Sequence, residues 1–269
     1  MTEAMDKAVS LTFDGDIALL QMNRPQKRNP LTQEAKEALF DAAHQLQGHK
    51  DLRAVIIAGS GGAFCAGGDL KTMHYDHENG TYGGAEDYLP RMRHLHAWVR
   101  ALRDLPVPVI SAVDGPAFGA GLGLALLADL VIASDRASFN ASFCKVGVVP
   151  DGGLFYSLPR FVGAQRAREL FYTGRTVDAA EAARIGLVME VMPADDLMPR
   201  AWDMARMMTK GSGAAFALTK SISGRAMQSD ADTLLTLEAQ AQAICLAGRY
   251  NADAARRFTN KEPLLFDFK

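Results

Sequence analysis

Apolar residues along the N-terminal part of the chain follow strand and helix spacings in turn. Residues 8–13 and 17–22 are strand-like runs that flank Asp14 and Gly15, and this pattern is typical of a β-hairpin. A helix is predicted next, because Thr32 is a suitable N-cap, apolar residues recur at helical spacing, and Gly48 is a natural stop. The run 54–58 then predicts another strand.

The middle of the chain continues this alternation. A helix ending near Leu105 precedes strands over 107–113 and 130–134, with a helix of small residues to about Ala128 between them. Parallel neighbours need a crossover connection, so this order predicts an α/β architecture with parallel strands. Residues 73–89 show no clear period and are expected to form a mobile loop, a candidate lid.

Beyond Leu197 the pattern changes to helices without strands between them. Segments 198–208, 213–227 and 231–246 have helical spacing, which predicts a C-terminal helical region. Four methionines lie here, and packing or subunit contact explains them better than a cofactor site: Met198, Met204, Met207 and Met208.

Composition narrows the class of protein. The 269 residues carry a formal net charge of -2 and lack a long basic run, which argues against nucleic acid as the main partner. Cys65, Cys144 and Cys245 form no C-x-x-C pair, so neither a disulfide framework nor a metal site is indicated, and a reducing cytoplasm is expected. No run approaches the roughly 18 apolar residues of a membrane span, and no membrane partner or targeting segment is predicted.

Two loops of small residues are the main candidates for chemistry. GGAFCAGGDL (61–70) and GPAFGAGLGLAL (115–126) each follow an apolar run, and GVVPDGG (147–153) adds one acid. Because Gly and Ala let the main chain approach a ligand closely, these loops could aim backbone N–H groups at a carbonyl oxygen.

Other interpretations of these loops stay open at this point. The second loop could simply be a tightly packed helix start, whereas a dinucleotide loop is disfavoured by its G-x-G-x-G spacing. The first loop also resembles a nucleophile elbow with Cys65 as the thiol, although a small buried cysteine is the commoner case.

Five segments, taken in order, resemble the enoyl-CoA hydratase/isomerase (crotonase) superfamily. They are NRPQKRNPL (23–31), AFCAGGDL (63–70), the stretch 106–134, VGVVPDGGLFYSLPRFVG (146–163) and TGRTVDAAEAARIGLV (173–188). The resemblance implies a spiral of ββα units over 1–196 that carries an acyl-CoA site. It also implies a helical region over 197–269 for subunit packing and site closure, in a homotrimer or a dimer of trimers.

The resemblance also implies how the two loops act. In an acyl-CoA thioester, removing the α-proton puts negative charge on the thioester oxygen, and two N–H donors stabilise that enolate. By resemblance the donors are the N–H groups of Ala66 and Ala120. No separate cofactor is expected, because coenzyme A enters as part of the substrate.

The acid-base groups decide which reaction such a site performs. Hydratases of this family use two glutamates, and this sequence has Gly123 and Phe143 at those positions, neither of which can move a proton. Ordinary hydration is therefore disfavoured. Related dehalogenases carry a tryptophan at the position of Phe143, so nucleophilic dehalogenation is disfavoured as well.

Asp151 is the candidate acid-base residue. Isomerases similar to the phenylacetate-pathway enzyme carry an aspartate at this position, and an apolar pocket formed by Phe118, Phe143 and Leu154 would raise its pKa. We expect Asp151 to move a proton between carbons of an unsaturated acyl-CoA. The simpler alternative is that Asp151 only caps a helix starting near Gly152.

Substrate-binding positions follow by resemblance too, and each has a plain structural alternative. The set comprises Lys27, Arg28, Ala66, Gly67, Gly68, Asp69, Leu70, Phe118, Gly119, Phe143, Phe258 and Lys261. The basic residues could equally be solvated surface charges, and Asp69 could only cap the helix from Leu70.

Two classes of function remain open on the sequence. The first is an enzyme, with an enoyl-CoA isomerase favoured over an atypical enoyl-CoA hydratase. The second is a catalytically degenerate acyl-CoA-binding protein.

Overall fold

The computed structural model describes residues 7–80 and 83–268. The strands are β1 (Val9–Asp14), β2 (Ile17–Met22), β3 (Pro30–Leu31), β4 (Ala54–Gly59), β5 (Gly67–Gly68), β6 (Val109–Val113), β7 (Pro116–Phe118), β8 (Leu130–Ser134), β9 (Ser138–Asn140), β10 (Thr176–Asp178) and β11 (Glu190–Met192). The helices are α1 (Gln33–Gly48), α2 (Leu70–Glu78), α3 (Ala85–Arg103), α4 (Ala120–Ala125), α5 (Leu154–Val162), α6 (Ala164–Thr173), α7 (Ala179–Arg184), α8 (Ala194–Thr209), α9 (Gly213–Ser223), α10 (Ala231–Leu246) and α11 (Arg249–Thr259).

The main sheet has the strand order β1-β2-β4-β6-β8-β11, and only the β1/β2 hairpin in it is antiparallel. Smaller sheets with the orders β10-β9-β7 and β3-β5 stand beside it. Four times in succession a strand of the main sheet is followed by a strand of a smaller sheet and then by an α-helix. The predicted spiral of ββα units is therefore confirmed.

Side chains of the central strands alternate between two apolar clusters. In β4, Val55 and Ile57 face the larger cluster, whereas Ile56 faces a smaller one that α8 covers with Leu197 and Met204. This alternation follows from the period of two along a strand. The buried Met204 confirms packing as the role of at least one residue of the Met-rich segment, and it ties the first C-terminal helix to the core.

The expectation of a loop over 73–89 is wrong for most of that segment and holds only for the described residues 79–80 and 83–84. Residues 73–78 belong to α2 and residues 85–89 to α3. Local capping starts both helices, because Asp69 accepts hydrogen bonds from the N–H groups of Lys71 and Thr72, and Asp87 accepts one from the N–H of Gly84. Helix α2 and the first turn of α3 are mostly polar, so no apolar period reveals them in the sequence, whereas the buried stripe of α3 begins at Leu95. Thr81 and Tyr82 lie outside the described residues.

Polar contacts dock helix α9 onto the core. Lys220 donates to the Asp129 carboxylate at 2.7 Å and to the Val107 carbonyl at 3.1 Å, and the Tyr156 hydroxyl donates to the carbonyl of Gly224. Helix α11, which the sequence did not predict, packs on α10. Among the described helices, none is long and apolar enough to cross a membrane.

Candidate active site

The two small-residue loops lie side by side. The N–H of Cys65 donates to the Pro116 carbonyl at 2.9 Å, and the N–H of Phe118 donates back to the Cys65 carbonyl at 3.0 Å. These bonds join segments about fifty residues apart in the chain into one parallel bridge. The juxtaposition that the sequence predicted for the loops is therefore present.

Gly67 is the point of closest approach between the loops. Its φ is +89°, and a Cβ added there would lie 2.5 Å from the Phe118 carbonyl oxygen and 3.7 Å from the Ala120 nitrogen. A side chain would thus be strained by the backbone angle and would collide with the second loop. Glycine at this position lets the first loop come within contact distance of the Ala120 N–H.

The predicted role of the Ala66 N–H is not supported by this geometry. That N–H donates to the carbonyl of Arg28 at 2.9 Å, so it is engaged within the protein. The acceptor is in place because Arg28 and Asn29 both have left-handed backbone angles, with φ values of 60° and 53°. Ala66 thus anchors the first loop to the segment that holds the predicted coenzyme A residues.

The next candidate donor along the first loop is Gly68. Gly67 pairs with Pro30 and Gly68 with Leu31 in the β3/β5 ladder. Pro30 has no N–H, so the ladder hydrogen bonds of the Gly67/Pro30 pair come from Gly67, and the Gly68 N–H takes no part in that pair. A Cβ added to Gly68 would meet nothing within 4 Å, so the protein leaves open space around this residue.

Ala120 presents the second donor. It is the first residue of α4, whose intrahelical bonds begin with Leu122 and Gly123 donating to the Gly119 carbonyl. The Ala120 N–H therefore lies in the first turn, where helix N–H groups lack a partner within the helix. Gly119 itself is fixed by donating to the Asn140 carbonyl at 2.7 Å.

The loop that carries Asp151 packs against α4 through a contact between Gly123 and Gly152. A Cβ added to Gly123 would lie 2.9 Å from the Gly152 carbonyl oxygen, and one added to Gly152 would lie 3.5 Å from the Ala120 carbonyl oxygen. The residue preceding Gly152 is thereby held next to the start of α4. This places the only predicted acid-base residue beside the predicted donor Ala120.

Asp151 is not a helix cap. Helix α5 begins at Leu154 with Gly153 as its N-cap, and no side chain accepts a hydrogen bond at that cap. One carboxylate oxygen of Asp151, Oδ1, is buried and has no hydrogen-bond partner among the described residues. The capping alternative is therefore wrong, and the carboxylate stays free to exchange a proton.

Burial raises the pKa of Asp151 above its ordinary value, and the positive charges of Lys36 and His96 oppose this rise. A carboxylate with a raised pKa is a stronger base than an exposed aspartate. Such a group can take a proton from carbon and return it. His96 was assigned no role from the sequence, and the structure places it in α3 within electrostatic reach of Asp151.

This pKa shift predicts a stability change for Asp151→Asn. In acid, folded and unfolded chains both keep the Asp151 proton; as pH rises, the unfolded chain ionises first, so the folded state loses relative stability. Asp151→Asn should therefore unfold at higher denaturant concentration than wild type near neutral pH, and the difference should shrink as the pH falls toward the ordinary range of aspartate. Asp178→Asn, which changes an exposed helix cap of α7, is the matched control. A variant less stable than wild type at neutral pH would contradict the expectation.

Aromatic residues close one side of the site. Phe143 is only 7% exposed, and its ring atom Cζ lies 3.9 Å from a Cβ placed on Gly119. Phe118 is half-buried, and Leu154 is fully buried directly after the Asp151 loop. These residues supply apolar surroundings and no proton donor or acceptor.

The predicted coenzyme A residues of this set lie in two places, near the first loop and at the end of α11. Lys27 and Arg28 are exposed and lie beside the first loop, because the Arg28 carbonyl binds the Ala66 N–H. Asp69 caps α2, as its structural alternative predicted, and Leu70 is 53% exposed next to it. Phe258 is 76% exposed at the end of α11, and Lys261 follows it. A role in coenzyme A binding stays a prediction for all of these residues.

Cys65 is not a nucleophile. It is fully buried, and burial raises the pKa of its thiol to about 12. A thiol with that pKa is not ionised at neutral pH, so the elbow-like sequence around it has a packing role.

Asn29 was not singled out from the sequence, although it holds the first loop. Its side-chain amide donates to the carbonyls of Ser60 and Ala63, and its Oδ1 accepts from the Arg24 N–H at 2.7 Å. The side chain is fully buried. Its position in the NRPQKRNPL segment was the available signal, since asparagine tolerates a left-handed backbone.

A protein-family model described as enoyl-CoA hydratase/isomerase matches residues 12–267. The chain belongs to this family. An enoyl-CoA hydratase/isomerase from Cupriavidus metallidurans CH34 superposes with a TM-score of 0.90 at 35% sequence identity, covering 98% of this chain and 97% of that one. The enoyl-CoA hydratase of Polaromonas sp. JS666 gives 0.87 at 30% identity, with 96% and 99% covered.

Relatives known by sequence carry the same family name. The short-chain-enoyl-CoA hydratase of Clostridium acetobutylicum is 32% identical over 257 residues, which is 95% of this chain and 96% of that protein. The crotonase fold and an acyl-CoA thioester as substrate follow from membership of the enoyl-CoA hydratase/isomerase family. The names of these relatives favour hydratase over isomerase, and the more specific likeness to the phenylacetate-pathway isomerase finds no support in them.

Proposed function

We propose that the protein is an enoyl-CoA isomerase that moves a double bond by proton transfer through Asp151. The carboxylate of Asp151 takes a proton from C2 of a 3-enoyl-CoA, and the electron pair moves onto the thioester oxygen. The N–H groups of Gly68 and Ala120 stabilise that charge. Asp151 then delivers the proton to C4, which gives the 2-enoyl-CoA and restores the carboxylate.

The observation that carries this proposal is the half-buried carboxylate of Asp151, whose Oδ1 has no hydrogen-bond partner among the described residues, beside two facing backbone loops. A single carboxylate is enough to carry one proton between two carbons. Adding water across a double bond needs groups that hold a water molecule and shuttle its protons, and Gly123 and Phe143 offer none. No separate cofactor is needed, because coenzyme A is part of the substrate.

The direct test offers 3-enoyl-CoA and 2-enoyl-CoA thioesters to the purified protein. The proposal predicts interconversion of the two double-bond isomers without 3-hydroxyacyl-CoA. Water addition would instead support the hydratase named for the relatives, with Asp151 as an atypical acid-base residue. Tight binding of acyl-CoA without turnover would support the degenerate acyl-CoA-binding protein.

Glutamate at position 123 should not convert this protein into a hydratase. The Gly152 carbonyl oxygen lies 2.9 Å from where the Cβ would be, so Gly123→Glu has to displace the loop that carries Asp151. We expect the variant to lose isomerisation and to gain no hydration, as followed by liquid chromatography of the acyl-CoA products. Appearance of 3-hydroxyacyl-CoA would contradict this expectation, because it would show that the backbone accommodates a working glutamate at position 123 next to the loop that carries Asp151. Gly213→Glu is the control, since that glycine starts helix α9 in the C-terminal region.

Assembly as a homotrimer or a dimer of trimers is part of the same proposal. Helices α9, α10 and α11 contain no buried residue, and α10 exposes Leu235, Ile244 and Leu246 by 57–60%. Such apolar exposure is typical of surfaces that another chain covers. The cytoplasmic location stays a prediction from cysteine usage.

A further inference from the structure

The Asn29 side chain is fully buried, and both ends of its amide are engaged. The amide nitrogen donates to the carbonyl of Ser60 at 3.0 Å and to that of Ala63 at 2.6 Å, and the amide oxygen accepts from the Arg24 N–H at 2.7 Å. Two carbonyls on one side and an N–H on the other leave the amide a single orientation. A side chain buried in this way acts on the reaction only through the backbone groups that it binds.

Segment 24–29 presents this amide as a closed turn. The Asn29 N–H donates to the Arg24 carbonyl at 3.0 Å, and the Arg28 N–H donates to the Pro25 carbonyl at 3.0 Å. The φ of Asn29 is 53°, in the left-handed region that asparagine adopts more readily than most residues. The amide is therefore attached to a turn that backbone hydrogen bonds already hold.

The first loop begins by turning around the Asn29 amide. The two carbonyls that the amide binds, at positions 60 and 63, lie on either side of the glycine pair 61–62. A Cβ added to Gly61 would lie 2.3 Å from the Cβ of Pro25, so this turn packs directly on the segment that carries Asn29. Asn29 thus fixes the start of the first loop at two points.

The candidate donor Gly68 is tied to the same segment farther along the loop. The Ala66 N–H donates to the Arg28 carbonyl at 2.9 Å, and Gly68 pairs with Leu31 in the β3/β5 ladder. Arg28 and Leu31 lie within two residues of Asn29 in the chain. A shift of the segment relative to the turn would therefore also move the backbone at Gly68.

We propose that Asn29 is a positioning residue whose amide holds the first loop so that the Gly68 N–H faces the thioester oxygen. The inference rests on the proposed function, in which this N–H and that of Ala120 stabilise the charge on that oxygen. Loss of the amide removes the donor of two carbonyls, and the loop has to move to satisfy them. A misplacement of about 1 Å in an active site can cost on the order of 10²-fold in rate.

Asn29→Asp tests the amide with little change of shape. Aspartate also tolerates a left-handed backbone, but it places a carboxylate oxygen where the amide nitrogen donates to two carbonyls. Asn29→Gly is the second variant, in case the buried charge prevents folding, since glycine keeps the backbone angle and removes the amide. Leu197→Ala is the control, because it weakens the smaller apolar cluster, whereas Phe64 and Cys65 of the first loop belong to the larger one.

The direct measurement is the carbonyl stretching frequency of bound hexanoyl-CoA labelled with ¹³C at the thioester carbon, recorded by infrared difference spectroscopy. This thioester is saturated and cannot isomerise, and hydrogen bonds to its carbonyl oxygen lower the frequency. Wild type and Leu197→Ala should both lower it relative to the free thioester. In Asn29→Asp and Asn29→Gly it should return toward the free value.

Turnover of 3-hexenoyl-CoA is then measured for the same proteins. In both Asn29 variants kcat should fall on the order of 10²-fold. KM should change far less, because the N–H donors act mainly on charge that develops in the transition state. Leu197→Ala should keep the kcat of wild type.

The outcomes separate this inference from the proposed function. A wild type that leaves the carbonyl frequency unchanged, or folded Asn29 variants with the wild-type frequency, would overturn the inference even where kcat falls. A wild type whose frequency shift depends on Asn29 but which does not isomerise 3-hexenoyl-CoA would overturn the proposed function and leave the positioning role intact.

Discussion

Asp151→Asn should lower the turnover of 3-enoyl-CoA by about 10²- to 10⁴-fold, the usual contribution of one positioned acid-base group. Asparagine has nearly the same shape as aspartate and cannot accept the α-proton. The two loops that carry the proposed N–H donors are joined by backbone hydrogen bonds, so their geometry should survive. Turnover is measured from the change in double-bond position at saturating substrate.

The control for this prediction separates chemistry from binding. A saturated acyl-CoA cannot isomerise, and its affinity for Asp151→Asn should stay close to that for wild type in calorimetric titration. Asp178→Asn makes the identical change at an exposed helix cap and should keep full turnover. Equal turnover in wild type and Asp151→Asn would remove Asp151 from the mechanism.

Gly67→Ala should disrupt the site through the backbone alone. The φ of +89° and the Phe118 carbonyl oxygen, 2.5 Å from the added Cβ, both oppose a side chain. We expect the free energy of unfolding to fall by about 2 to 3 kcal/mol, since such backbone strain costs on the order of 1–3 kcal/mol and the collision adds to it. Turnover should fall at least about 10²-fold as the two loops separate, because an aligned N–H donor contributes that much.

Gly15→Ala is the matched control for Gly67→Ala. Gly15 also has a left-handed backbone, with φ of +62°, but an added Cβ there would meet nothing within 4 Å. Gly15→Ala should lower the free energy of unfolding by about 1 to 2 kcal/mol and leave turnover unchanged. If chemical denaturation and activity show Gly67→Ala to behave like Gly15→Ala, the close approach of the loops is not needed for function.

Elements with a strong apolar period were predictable from the sequence. Strand β8 and helix α10 have the bounds expected for them, 130–134 and 231–246. Helices α2 and α3 begin in a polar segment, where single carboxylates such as Asp69 and Asp87 supply the start. The side chains at that end of both helices are exposed, so the sequence has capping residues there but no apolar period. These capping residues were not recognised as helix starts.

Part of the candidate site depends on contacts between distant segments. Phe143 lies next to Gly119, and Gly152, the neighbour of Asp151, lies next to Ala120, as the order of the loops in the sequence led us to expect. The role of Ala66 could not be judged in advance, since its N–H is taken by Arg28, whose left-handed turn has no clear signal in the sequence. His96 was missed because the orientation of α3 over the Asp151 loop is a tertiary property.

The central claim is that one carboxylate moves a proton between carbons of a bound thioester. The most direct measurement is to incubate wild type and Asp151→Asn with 3-hexenoyl-CoA and to analyse the products by mass spectrometry and NMR. The account predicts 2-hexenoyl-CoA of unchanged mass from wild type and almost none from Asp151→Asn. A product heavier by one water molecule, or isomerisation that persists in Asp151→Asn, would contradict it.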